Sequence, residues 1–189
     1  MPRILVPIAE GSEELEAITI IDLLRRADFD VVVAGLAGGP VRMSRKTLIL
    51  PDMTLDAALE SAFDMVVLPG GLPGADNLNA DPRIQNLLKS MAASGKFVAA
   101  VCAAPYVLAN AGVLDGKRAT AYPGFLERLE RGTIEITGGA VERDGNLITS
   151  RGPGTAMDFA LELIEALAGT EKRDEVEERL VRPETHHVR

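Results

Sequence analysis

The sequence predicts an α/β fold built on a parallel sheet. Two observations carry this. Short β-branched runs alternate with helical segments along the 189 residues, the signature of repeated strand–helix units. Several of those runs are continuously apolar, as strands covered on both faces are.

The elements follow in order. Ile4–Ile8 reads as a buried strand. Glu13 to about Arg26 reads as a helix, with Ser12 placed to cap it and acids in its first turn. Asp30–Leu36 is a second strand, broken by Gly38-Gly39-Pro40, and Val41 to Leu50 reads as a hairpin or edge excursion. Met65–Leu68 is a core strand ending in Pro69-Gly70-Gly71. A helix from Pro82 to about Ser94 leads to the strand Phe97–Val101, which runs straight into Cys102. Pro105 to about Ala111 is helical. Ala140–Arg143 and Leu147–Thr149 are weaker strands joined by Asp144-Gly145, a hairpin signal. The helix Ala156–Ala168 carries a capping-box pattern in Thr155 and Asp158, and Glu171 to Leu180 forms one more helix. One domain is expected over residues 1–181, with a tail over 182–189.

Composition narrows the function. Hydrophobic residues make up 47% and charged residues 25%, as in soluble globular proteins. No stretch is long and apolar enough to span a membrane, and the N-terminal residues lack a signal-peptide layout. A cytoplasmic location is therefore expected. The net charge of -8 repels a phosphate backbone, so nucleic acid is not an expected partner. A single cysteine excludes an intramolecular disulfide and a Cys-rich zinc site. Metal and cofactor are both expected to be absent. Both histidines, His186 and His187, stand in the last four residues.

Cys102 follows a strand and precedes a helix, the geometry of a nucleophile elbow. The strand delivers it to the carboxyl edge of the sheet, where open α/β sheets bind ligands. The helix aims N–H groups and the positive end of its dipole at the sulfur, which favours thiolate, the nucleophilic form. Ala100, Ala103 and Ala104 leave room for a sharp turn. A buried structural cysteine fits the same spacing.

Glu16 falls on the apolar face of the first helix, between the directions of Ile20 and Leu23. A carboxyl group there is either paired or protonated, and a protonated one can donate to the sulfur. Alternatively, Glu16 only complements the helix dipole. Gly71 and Ala103 offer backbone amides for an anion pocket; an ordinary glycine turn is the plain alternative. The glycines match neither a dinucleotide nor a phosphate-loop motif. Leu15 and Ile18 sit on the polar side of the first helix, either as incidental exposed apolar residues or as the seam of a homodimer.

Four segments carry a family resemblance. They are Gly11-Ser12-Glu13-Glu14-Leu15-Glu16-Ala17, Val67-Leu68-Pro69-Gly70-Gly71, Ala99-Ala100-Val101-Cys102-Ala103-Ala104-Pro105 and Thr149-Ser150-Arg151-Gly152-Pro153-Gly154-Thr155. Together they resemble the ThiJ/PfpI superfamily, in the branch of the Parkinson-disease protein deglycase and its YajL-like bacterial relatives. The resemblance runs from Ile4 to about Val181. It implies a flavodoxin-like, doubly wound, mostly parallel sheet sandwiched by helices, and a homodimer. It implies Cys102 as nucleophile or oxidation-sensitive thiol, Glu16 as its protonated partner, and Gly71 and Ala103 as anion-pocket amides. The implied activity is cofactor-free conversion of methylglyoxal or glyoxal, or removal of their early adducts; a redox-sensing or chaperone role is the rival.

One departure is informative. Many members of this superfamily carry histidine where Thr120-Ala121-Tyr122-Pro123 places Tyr122, and protease-like members carry it where Ala103 stands. A Cys–His dyad, and with it peptidase activity, is not expected.

Overall fold

The computed structural model describes residues 1–129 and 133–182. In chain order the elements are β1 (Arg3–Ile8), α1 (Glu14–Arg26), β2 (Asp30–Gly35), β3 (Val41–Arg42), β4 (Leu48–Ile49), β5 (Met53–Thr54), α2 (Leu55–Ala58), β6 (Met65–Leu68), α3 (Gly74–Ala80) and α4 (Pro82–Ala93). Then come β7 (Phe97–Val101), α5 (Pro105–Asn110), β8 (Arg118–Ala119), β9 (Glu135–Ile136), β10 (Val141–Asp144), β11 (Leu147–Ser150), α6 (Ala156–Ala168) and α7 (Thr170–Arg179).

The main sheet has seven strands in the order β10-β11-β7-β6-β1-β2-β5. All its pairings are parallel except β10 with β11. Successive side chains point to opposite faces, so each apolar strand feeds two cores. Leu5, Val66, Leu68, Val98 and Ala100 pack with Leu78, Ile84, Leu88 and Leu108 from α3 to α5. Ile4, Val6, Ile8, Val67, Ala99 and Val101 pack with Ile20 and Leu24 of α1 and Phe159, Leu163 and Ile164 of α6. This is the flavodoxin-like sandwich the sequence predicts, with β3 and β4 forming a separate antiparallel hairpin.

Both predicted helix caps are corrected. Glu13, not Ser12, is the N-cap of α1, and it makes no side-chain cap. Ser12 Oγ instead accepts from the Ala9 N–H at 3.1 Å and closes the turn after β1. Thr155 stands at the N-cap of α6 but does not bond to that helix. Its hydroxyl accepts from the Gly152 N–H at 3.1 Å, in a short 3₁₀ turn, and Asp158 pairs with Arg182 at 2.7 Å. Five further elements escape the sequence reading: α3, the short β5 with α2, and the short strands β8 and β9. Among the described residues no helix is long and apolar enough to cross a membrane. His186 and His187 lie outside the described residues.

Candidate active site

The parallel order sets three chain segments side by side at the carboxyl edge: the turn after β6, the turn after β7, and the first turn of α1. Cys102 takes φ of +61°, the left-handed region, which costs a non-glycine residue on the order of 1–3 kcal/mol. Its backbone is held on both sides: its N–H donates to Ser150 O at 2.9 Å, and its carbonyl accepts from the Tyr122 N–H at 2.8 Å. Pro105 opens α5 where no N–H is needed.

Glu16 is fully buried. Its Oε2 accepts from the Gly70 N–H at 2.8 Å, while Oε1 is buried with no hydrogen-bond partner among the described residues. Burial raises the carboxyl to about 7, against the opposing pull of the Gly70 N–H and the Cys102 thiol. An acid proton on Oε1 would give that oxygen a hydrogen bond to donate.

Burial, then the negative charge of Glu16 and its hydrogen bond, push the Cys102 thiol up to about 12. The backbone N–H groups of Ala103 and Gly71 act on the sulfur in the opposite direction. The amides of the turn favour thiolate as expected, but desolvation and the neighbouring carboxylate outweigh them, so the thiol is raised overall. The two groups titrate as a pair that gives up its first proton near neutrality, and the thiolate forms when Glu16 holds the other proton.

All four predicted residues, Cys102, Glu16, Gly71 and Ala103, therefore meet at one place. Gly70 was not singled out by the sequence reading, yet it sits between both ionisable groups of the site. A Cβ on it would lie 2.7 Å from Cys102 Cβ and 2.8 Å from Glu16 Oε2. Gly71 has φ of +85°, and a Cβ there would lie 2.5 Å from the Glu13 nitrogen. The Gly-Gly pair was the available signal; which glycine touches the carboxyl depends on how α1 docks. Tyr122 is half exposed and meets Phe125 edge to face, with ring centroids 6.2 Å apart. Among the described residues no group of three or more Asp, Glu, His or Cys side chains is arranged to hold a metal ion.

Residues 2–166 match the DJ-1/PfpI family. The chain belongs to that family. The DJ-1/PfpI relatives are close in sequence and shape. Protein dj-1beta of Drosophila melanogaster is 49% identical over 173 residues, which cover 91% of this chain and 92% of that protein. The crystal structure of Drosophila melanogaster DJ-1beta superposes with a TM-score of 0.92 at 45% identity, over 97% of this chain and all (100%) of that one. A Caenorhabditis elegans member, named glutathione-independent glyoxalase DJR-1.2, is 37% identical over 169 residues, covering 89% of each chain.

Proposed function

We propose that this DJ-1/PfpI member is a cysteine-dependent, cofactor-free glyoxalase that acts on methylglyoxal or glyoxal and on their early adducts. One observation carries the reading: a thiol on a strained turn shares its pocket with a buried, protonatable carboxyl and two backbone N–H groups. The activity in the name of the Caenorhabditis elegans relative agrees with it.

Cys102 Sγ adds to the aldehyde carbon, and the carbonyl electron pair moves to the oxygen. The Gly71 and Ala103 N–H groups hold that oxygen, which takes the proton released by the thiol. The Glu16 carboxylate removes the hydrogen of the new hemithioacetal carbon as a proton, leaving an enediolate with its charge on the neighbouring oxygen. The hemithioacetal hydroxyl proton passes to that oxygen, and Glu16 returns its proton to the adjacent carbon, which produces the thioester of a 2-hydroxy acid. Water cleaves the thioester and restores the thiol. The carbon skeleton is isomerised and hydrated with no net oxidation, so the chemistry calls for no redox partner. In early adducts of amines and thiols the same carbons react, and the amine or thiol leaves. Leu15 and Ile18, both half exposed on α1, serve as the seam of a homodimer in this reading.

A second reading is favoured by the vacant hydrogen-bonding position of Glu16 Oε1. With a single cysteine in the chain, peroxide carries Cys102 past sulfenic acid without an intramolecular disulfide. A protonated Glu16 would hold the resulting sulfinate, making Cys102 a redox sensor. Loss of lactate formation from methylglyoxal in Cys102→Ser separates the readings: full activity in that variant sinks the enzymatic one.

A further inference from the structure

A cavity of about 270 Å³ is lined by Leu72, Asp76, Tyr106, Phe125 and Arg128, among others. It is continuous in chain with the reactive turn. Leu72 follows Gly71, whose N–H acts on the sulfur, and Tyr106 lies one turn beyond Cys102 in α5. Phe125 touches Tyr122, whose N–H holds the Cys102 carbonyl.

Its chemistry is two-signed. Tyr106 and Phe125 form an aromatic wall, with centroids 6.2 Å apart at 34°. Asp76 Oδ1 accepts from the Tyr106 hydroxyl at 2.6 Å, and no cation among the described residues neutralises that carboxylate. The Arg128 guanidinium lies 4.0 Å over the Phe125 ring, with no carboxylate partner among the described residues. Both charges act on the Tyr106 phenol, so both lie near the same ring, and no ion pair joins them among the described residues. An aromatic wall in a cavity that also presents an anion and a cation, neither of them paired among the described residues, complements a zwitterion with a carbon chain.

We infer that this cavity is the subsite for the free α-amino-acid end of a dicarbonyl adduct, with the α-carboxylate on Arg128, the α-ammonium on Asp76 and the carbon chain along Tyr106 and Phe125. The inference rests on the glyoxalase reading for its role and deepens it. The subsite selects adducts of free amino acids over adducts on protein side chains, because a peptide bond removes both charges it recognises.

The test is binding, with inert probes and the full-length protein. S-propyl-L-cysteine keeps both charges; S-propylcysteamine lacks the carboxylate, and 3-(propylthio)propanoate lacks the ammonium. Titration followed by heteronuclear NMR is expected to give saturable shifts at Leu72, Tyr106 and Phe125 with S-propyl-L-cysteine, and at least tenfold weaker binding of the other two. Arg128→Gln is expected to erase the preference over S-propylcysteamine, and Asp76→Asn the preference over the propanoate. Both side chains are exposed, so neither substitution opens the core. Equal affinity for the three probes, absence of saturable shifts, or a preference that survives both substitutions overturns the subsite. Lactate formation from methylglyoxal by the same sample reports on the glyoxalase reading separately. Selective binding without turnover leaves the subsite standing and removes its substrate role, and turnover without binding removes the subsite alone.

Discussion

The backbone N–H of Gly70 donates to Oε2 of Glu16 at 2.8 Å, joining residues 54 positions apart in the chain. The bond fixes one carboxyl oxygen and leaves the other buried without a hydrogen-bond partner among the described residues. It also ties the turn after β6 to α1, with the Glu13 N–H donating back to Gly70 O at 2.9 Å. The pocket's two ionisable groups are therefore set by a residue with no side chain.

Gly70→Ala is expected to separate the pair. The added methyl would meet Cys102 Cβ at 2.7 Å and Glu16 Oε2 at 2.8 Å. Overpacking of this kind costs about 1–3 kcal/mol, and a displacement of about 1 Å at a reacting centre costs on the order of 100-fold in rate. Thermal unfolding and kcat/KM for methylglyoxal measure the two losses; near-normal values of both would mean the turn is slack.

Replacing Cys102 by Gly and by Ala separates strain from chemistry. Both remove the thiol, but only glycine accepts φ of +61° without penalty. Cys102→Gly is expected to unfold at a higher temperature than Cys102→Ala, by the equivalent of about 1 kcal/mol, with both inactive. Equal unfolding temperatures would show that the turn carries no such strain.

Glu16 imposes a pH dependence on stability. Its carboxyl is raised from 4.5 to about 7 in the folded state. Below the unfolded value both states hold the proton and its contribution to stability is intact. As pH climbs toward the folded value the unfolded chain loses the proton first, so stability falls, and above it the loss levels off. At roughly 1.4 kcal/mol per unit, the loss is about 3 kcal/mol. Glu16→Gln lacks this titration, so its stability relative to the parent should rise between pH 4 and pH 8 in denaturant titrations. A constant difference across that range would show that the carboxyl is not raised.

The sheet was legible because its strands are continuous apolar runs: Ile4–Ile8, Met65–Leu68 and Phe97–Val101 read directly as strands. Glu16 was legible because a carboxylate in the apolar stripe of α1 breaks the helical pattern. Local chemistry misled where tertiary contacts compete for the same hydroxyl. Ser12 and Thr155 have the composition of caps, but the β1 turn and the Gly152 turn use them. α3 begins at Gly74 and carries only Ala75 and Leu78 as buried apolar side chains, too few for a helical period. The raised thiol was illegible for another reason: desolvation depends on how deeply the surrounding segments bury the sulfur, which no run of residues around Cys102 encodes.

The central claim is that Cys102 and Glu16 titrate as one unit, and the pH dependence of Cys102 alkylation by iodoacetamide tests it most directly. In the parent protein the rate is expected to rise in a first step with a midpoint of about 7, as the pair loses its shared proton, and again in strongly alkaline solution. In Glu16→Gln the step near neutrality should vanish, leaving one rise below the value of about 12 that the thiol has beside a charged Glu16. Superimposable profiles with a single step in both proteins would contradict the account, because the thiol would then ionise without regard to the carboxyl beside it.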